Sequence, residues 1–330
     1  MPLKGTSKKI LCGSFLGLSL KDFANRITRN ARHWGKWARR RGIQCYRVYD
    51  RDIPEFAFAL DVYGERAHLQ EYDRGGMHDS AAHEAWLTQA HHTAAQALGL
   101  DPLQVVLKRR AKRRGMAQHE KTGHPGEDFV VEEGGHRFIV NLEAYLDTGL
   151  FLDHRNTRAL VGSEAHGKRV LNLFCYTGSF TVYAARAGAT ASLSIDLSNT
   201  YLDWARRNFD LNGLDPDRHS LERGDLLVWL GEAARLGQRF DLIVLDPPSF
   251  STSKAMRRTL DIQRDHAELI GTSTRLLSRG GVLYFSTSLR SFKLDAAALS
   301  GLAGEEISSR TVPEDFRNRR IHRCWRFTRP

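Results

Sequence analysis

After residue 145 the chain alternates short apolar runs with helical patterns, and this rhythm restricts the fold more than any other feature of its 330 residues. Strands separated by crossover-length helices form a parallel sheet that is buried on both faces. Val170-Leu171-Asn172-Leu173-Phe174-Cys175-Tyr176 reads as the first strand, Thr177-Gly178-Ser179 as a turn, and 180–186 as a helix. Ala191-Ser192-Leu193-Ser194-Ile195-Asp196 is the second strand, followed by a helix near 199–211. A third strand ends at Gly224-Asp225, before a helix near 226–235. The fourth strand is Asp241-Leu242-Ile243-Val244-Leu245-Asp246, stopped by Pro247 and Pro248, which cannot donate to a ladder. A long helix over about 259–278, a turn at Gly280-Gly281, a strand Val282-Leu283-Tyr284-Phe285-Ser286 and a last strand near 323–328 complete the pattern.

The first 145 residues follow a different rhythm. Residues 1–20 read as a tail. Residues 21–41 form a basic helix with Phe23, Ile27, Trp34 and Trp37 toward one face and Gly42 as its stop. Period-two aromatic runs over 43–72 turn at Gly64-Glu65. An alanine-rich helix over 79–98, capped by Asp79 and ended by Gly99, leads into the strand Val105-Val106-Leu107-Lys108. A second hairpin, 129–132 with 136–141, turns at Gly134-Gly135. The predicted organisation is a tail (1–20), a basic helix with a small α+β domain (21–145), and an α/β domain (146–330).

Charge narrows the partner. Net charge is +11 and the isoelectric point is near 9.7, which favours a polyanion, most simply nucleic acid. The run Lys108-Arg109-Arg110-Ala111-Lys112-Arg113-Arg114 reads as an exposed loop for phosphate contacts. Such contacts position a nucleic acid without reading its bases. Cys12, Cys45, Cys175 and Cys324 lie far apart without a C-x-x-C pair, which predicts a reducing, cytoplasmic setting and no structural zinc. No apolar run reaches transmembrane length, so no membrane partner is predicted.

Three carboxylates close three successive strands: Asp196, Asp225 and Asp246. In a doubly wound sheet these ends line one crevice. The turn Phe174-Cys175-Tyr176-Thr177-Gly178-Ser179 lacks the dense glycines that bring a pyrophosphate onto a helix N-terminus. A dinucleotide oxidoreductase is therefore disfavoured. Asp196 at a ribose and Asp225 near an adenine amino group suit a nucleoside without phosphates, and S-adenosylmethionine is such a cofactor. Tyr176, Thr177, Gly178, Ser179, Leu197 and Leu226 flank the same ends.

The runs LNLFCYTGSF, SIDLSNTYLDWARRNFDLNGL and FDLIVLDPPSFSTSK, followed by DIQRDH, resemble class I S-adenosylmethionine-dependent methyltransferases. With YLDTGLFLDHR upstream and EDFRNRRIHRCW downstream, the chain from about residue 21 is similar to the K half of the bifunctional K/L methyltransferases of bacterial 23S rRNA. The resemblance implies a Rossmann-like, seven-stranded methyltransferase sheet, a preceding RNA-binding α+β domain, and 7-methylguanosine as product. It also implies 23S rRNA or a large-subunit precursor particle as substrate. An L half is missing, so the activity stands alone or needs a separate partner. By the same resemblance the segment holding Asp147, Asp153 and Arg155 borders the cofactor, with Asp153 as a cofactor residue.

Related rRNA cytosine-C5 enzymes use a cysteine nucleophile after the penultimate core strand. Here that position reads Phe285-Ser286-Thr287-Ser288-Leu289, which weighs against carbon methylation. Guanine N7 has an in-plane lone pair and no proton, so the enzyme needs neither nucleophile nor base. Alignment of N7, methyl carbon and sulfur then carries the catalysis, worth roughly 7–11 kcal/mol in favourable cases. Asp246, with Pro247 and Pro248, is predicted to position the base, and Phe250 to stack on it. Guanine N2 and cytosine C5 methylation are the alternatives within the enzyme class. A non-catalytic RNA-binding assembly factor is the alternative outside it.

Overall fold

The computed structural model describes residues 16–72, 81–110, 126–145, 147–252, 256–299 and 301–329. Its contacts divide the chain into two compact units, residues 1–37 with 48–111, and 38–47 with 112–330. A mixed four-stranded sheet organises the first. Its strands are β1 (Cys45–Asp50), β2 (Phe58–Tyr63), β3 (Arg66–Tyr72) and β4 (Val105–Arg110), in that spatial order. The pair β2/β3 is the expected hairpin, whereas β3/β4 is parallel, with helix α2 (Ala81–Leu98) as its crossover. Helix α1 (Leu16–Arg40) starts inside the expected tail. Phe23, on α1, stacks on Phe56 at 4.4 Å and meets Tyr49 edge-on, and Trp86 of α2 stacks on Phe58 at 5.4 Å. Aromatic burial of this kind is what makes a small sheet stable. The expected cap Asp79 lies outside the described residues.

Two expectations change here. The strand β4 runs on to Arg110, so Lys108, Arg109 and Arg110 of the basic run are ladder rather than loop. Lys108 is buried, and Arg109 forms ion pairs with Glu84 and, at 3.9 Å, with Glu71. Lys112, Arg113 and Arg114 lie outside the described residues. The hairpin of β5 (Phe129–Glu133) and β6 (His136–Val140) belongs to the second unit, so the compact units divide near residue 111 rather than 145. Its edge is read by the helix that follows the second core strand: Asn208 Oδ1 accepts from the Ile139 amide and Trp204 Nε1 donates to the Ile139 carbonyl.

The second unit is built on a seven-stranded sheet, with α3 (Arg155–Glu164) leading into it. The parallel strands are β7 (Arg169–Leu173), β8 (Ala191–Asp196), β9 (His219–Arg223), β10 (Phe240–Leu245) and β13 (Leu277–Thr287). Antiparallel β15 (Arg323–Thr328) and β14 (Ala303–Glu306) extend the β13 edge. The order is β14-β15-β13-β10-β7-β8-β9. Connections run one way from β7 to β9 and the other way from β10, so the switch point lies between β7 and β10. Helices α4 (Ser179–Arg186), α5 (Asn199–Leu211), α6 (Leu226–Arg235) and α7 (Ile262–Arg275) cross over between strands. Leu171, Leu173, Ile243, Leu245, Leu283 and Phe285 fill one face of the sheet, and Val170, Leu242, Val244, Val282 and Tyr284 the other, as buried parallel strands require.

The stretch around Gly280-Gly281 departs from expectation. It does not turn but lies inside β13, where Gly280 takes φ +72° and the pairing with β10 shifts register. The preceding helix is correspondingly shorter. A two-residue pair, β11 (Phe250–Ser251) with β12 (Leu260–Asp261), precedes it, and the Asp261 carboxylate caps it by accepting from Gln263 and Arg264 amides. Strand β14 has no period-two apolar pattern, all four residues being exposed, so nothing in the sequence marks it as a strand.

Candidate active site

The strand ends β7, β8, β9 and β10 present Phe174, Asp196, Asp225 and Asp246 toward the switch-point edge, where open α/β sheets bind their ligands. The loop after β7 is strained. Phe174 and Tyr176 hold φ +57° and +51°, a left-handed conformation that costs a non-glycine residue on the order of 1–3 kcal/mol. Gly178 follows at φ +75° as the N-cap of α4, and a Cβ there would overlap Phe209. Contacts hold the strained turn. The Tyr176 amide donates to Asp196 Oδ2 at 3.0 Å, and Tyr176 Oη accepts from the Gly149 amide at 3.1 Å. Thr177 Oγ1, fully buried, donates to the Gly149 carbonyl at 2.6 Å. Gly149, at φ +94°, leaves no room for a side chain against Trp204. The segment before α3 is thus fastened to the turn.

Asp196 is fixed on both oxygens, since Oδ1 also accepts from the Ser198 amide at 3.0 Å. Burial pushes its carboxyl upward, against the pull of those amides. Leu197 turns its carbonyl to Arg223. Asp225 caps α6 by accepting from the Leu227 amide at 3.1 Å, and its other oxygen accepts from the Arg257 amide at 2.6 Å. Leu226 is buried beneath it, and Ser179 opens α4 with little exposure. Each carboxylate oxygen keeps lone pairs for a ligand donor, which suits ribose hydroxyls or an adenine amino group.

At the fourth strand end, Pro247 is buried and Pro248 half-buried, while the Phe250 ring is 49% exposed. The parallel register pairs Leu245 with Phe285, which sets Asp246 beside Ser286. Ser286 Oγ donates to Asp246 Oδ1 at 2.5 Å. The other oxygen faces His154 Nε2 at 3.5 Å. His154 closes a 3₁₀ turn, Leu152–His154, and stacks on His322 at 4.4 Å with 9° between the rings. His322 Nδ1 lies 3.0 Å from Asp153 Oδ2, and its Nε2 lies 3.0 Å from Thr311 Oγ1.

Asp153 therefore serves a histidine. Burial works to raise its pKa, but His154 and His322 outweigh burial and hold it well below the usual carboxylate range. Arg155 turns away, to Asp315 at 2.8 Å, Glu133 at 3.1 Å and the Cys45 carbonyl at 2.6 Å. Potential ligand atoms of Asp153, His154 and His322 lie within 4.8 Å of one another. Both nitrogens of His322 already face polar partners, Asp153 and Thr311.

None of the described cysteines is placed as a nucleophile. Cys45, Cys175 and Cys324 are buried, and burial pushes each thiol upward. Cys324 sits opposite Ser286 in the β13/β15 ladder, where the Asp246 charge raises it further. Ser286, His154, His322 and Thr311 were not among the residues expected at the site. His154 and His322 lie inside the runs YLDTGLFLDHR and EDFRNRRIHRCW that carry the family resemblance, and the missing cysteine after Phe285 points to Ser286 only indirectly.

A family model for S-adenosylmethionine-dependent methyltransferases matches residues 81–294. The chain belongs to that family. Its cofactor is accordingly S-adenosylmethionine. The chain is 58% identical over 306 residues to ribosomal RNA large subunit methyltransferase K of Neisseria meningitidis serogroup B, covering 93% of this chain and 86% of that protein. It is 49% identical over 307 residues to ribosomal RNA large subunit methyltransferase K/L of Ectopseudomonas mendocina, and spans 42% of that longer protein. Among solved structures, an S-adenosylmethionine-dependent methyltransferase from Streptococcus mutans superposes with a TM-score of 0.77 at 23% identity, covering 96% of this chain and 83% of that one. The last comparison speaks to fold alone. Among the described residues no helix is long and apolar enough to cross a membrane.

Proposed function

We propose that this methyltransferase transfers the methyl group of S-adenosylmethionine to N7 of a guanine in large-subunit 23S rRNA, in line and without a covalent intermediate. The observation that carries the reading is the strand end at Asp246. A carboxylate stands there beside a serine hydroxyl, and the cysteines of the described residues are buried with raised pKa values. Carbon methylation of a pyrimidine needs a thiolate, and N7 does not. Asp246 cannot bond N7 itself, because both are acceptors. It accepts from the N1–H or N2–H edge of the guanine and so orients the ring, with exposed Phe250 as the stacking surface. The names of the relatives support ribosomal RNA as the substrate.

Exposed Arg29, Arg32 and Lys36 along α1, in the first unit, are proposed to meet phosphates, with Lys112, Arg113 and Arg114 contributing outside the described residues. Lys108 and Arg109 are removed from that role by burial and by pairing with Glu84. The protein is proposed to act in the cytoplasm, where rRNA and reduced thiols coexist. Guanine N2 is the second reading, because Asp246 could accept directly from that amine.

Incubating this chain alone with S-adenosylmethionine and unmodified 23S rRNA, free or in precursor particles, tests both readings. Nucleoside mass spectrometry should find 7-methylguanosine. N2-methylguanosine or 5-methylcytidine would overturn the N7 assignment. Cofactor binding without transfer to either substrate, restored by an added L-type protein, would show that a partner is required. Absence of transfer even then would favour an assembly factor.

A further inference from the structure

His154 takes no part in the transfer as described, yet it has the geometry of a working group. It sits at the end of the 3₁₀ turn that leads into α3, 6% exposed, with the Phe180 ring set edge-on at 5.8 Å between ring centroids and His322 stacked against it. Its Nε2 faces two carboxylate oxygens, Asp246 Oδ2 at 3.5 Å and Asp153 Oδ2 at 3.9 Å. A nitrogen facing carboxylates carries a proton. Its Nδ1 is buried with no hydrogen-bond partner among the described residues. A proton there would be an unpaired buried donor, which costs more than a bare lone pair. The two nitrogens together therefore select one species, the neutral Nε2–H tautomer.

We propose that His154 is a positioning residue for methyl transfer: a neutral imidazole whose Nε2–H, together with the Ser286 hydroxyl, holds the Asp246 carboxylate in the one orientation that accepts from the target base. The inference rests on Asp246 being the group that meets the base. Each Asp246 oxygen then has one protein donor, Ser286 on Oδ1 and His154 on Oδ2. The remaining lone pairs are aimed rather than free to rotate. The 3.5 Å separation is long for a hydrogen bond, and contacts of this kind commonly tighten only when the ligand is bound. Asp153 and His322 support the arrangement from behind. Asp153 takes a bond from His322, whose far nitrogen meets Thr311, and the His322 ring is the platform for His154.

Protonation of His154 would convert a neutral donor into a cation between Asp246 and Asp153. It would neutralise the charge that attracts the base N–H. The charged and titratable groups around it are Asp153 on its own turn, Arg158 on α3, Asp246 at the end of β10 and His322 before β15. Burial keeps the imidazole pKa below its ordinary 6.5, the two aspartates opposing. Activity should therefore fall on an acid limb below about pH 6.5.

The test compares wild type with H154Q and H154F in single-turnover transfer from labelled S-adenosylmethionine, together with ¹⁵N NMR of the histidines. At pH 7 the His154 resonances should be those of a neutral ring protonated on Nε2. H154F should lower the transfer rate about 10- to 100-fold with KM for RNA and cofactor nearly unchanged, as expected for misalignment. H154Q, whose amide donates but does not titrate, should recover most of the rate and lose the acid limb. A wild-type rate in H154F, or an unchanged acid limb in H154Q, would overturn the proposal. So would an imidazolium or an Nδ1–H tautomer at pH 7. If H154F fails to fold, the H154Q profile and the NMR tautomer decide. Transfer is scored on whichever base the wild type modifies, and the tautomer is read without turnover. An error in the guanine assignment is thus distinguishable from an error about His154.

Discussion

Asp196 and Asp246 both stand at strand ends, but their surroundings give them different work. Asp196 receives two backbone amides and faces the strained Tyr176 turn, and its proposed work is to hold a cofactor hydroxyl. Asp196→Ala should weaken S-adenosylmethionine binding at least tenfold in calorimetry while leaving RNA affinity intact. Asp246 receives a side-chain hydroxyl and an imidazole, groups that orient without neutralising. Asp246→Asn should lower methyl transfer by more than tenfold with unchanged cofactor affinity, and a variant of near-full activity would refute the positioning role. Tyr176 has a smaller part. Tyr176→Phe removes the acceptor for the Gly149 amide, and its cost should be about 0.5–1.5 kcal/mol in denaturant unfolding. The aspartates are legible in the sequence because each ends an apolar run. What Ser286 and His154 will face is not, since a serine at the end of a strand and a histidine before a helix, even one inside a family run, do not name their partners.

Helix α3 shows how elements in the second unit are fastened together. Arg155 and Arg158 on α3, Glu133 at the end of β5, Tyr183 on α4 and Asp315 form a fully buried network. Arg158 also donates to the Phe151 carbonyl, which secures the segment carrying His154. Two positive and two negative charges balance, as a buried cluster requires. Burial works to raise the Glu133 pKa, and the guanidiniums of Arg158 and Arg155 outweigh it, holding the carboxyl below its ordinary value of 4.5. A depressed folded pKa means that this stabilisation is complete above about pH 4.5 and is lost as pH falls through the folded value. Glu133→Gln leaves two buried guanidiniums short of charge and should cost about 3–5 kcal/mol at pH 7 in urea unfolding. The difference from wild type should shrink in more acidic solution, below about pH 4.5. Period and turn chemistry placed β5 and β6 correctly as a hairpin. They gave no hint that it packs against α4 and α5, because Glu133 meets Arg158 only through the tertiary fold.

Over the whole molecule, the surplus of 11 positive charges is a property of composition, and its use depends on where pairing leaves cations exposed. The basic run has the look of the obvious phosphate site, yet its first two residues are buried or paired in the first unit. Arg29, Arg32 and Lys36 are instead exposed along α1. Replacing these three with alanine should reduce the slope of log affinity against log salt by roughly 0.7–0.9 for each phosphate no longer neutralised. An unchanged slope in filter binding across salt would remove α1 from the interface. Local order along the chain was enough to dictate the alternation of strands and helices, the aspartates at their ends and the missing nucleophile. Those features are written in short periods and in residues adjacent in sequence. Three-dimensional packing settled the rest: which hairpin joins which unit, which cations are spent on internal partners, and that His154, Ser286 and His322 gather around Asp246. Such meetings join residues far apart in sequence, and only the packed sheet, with its register, brings them within hydrogen-bonding reach.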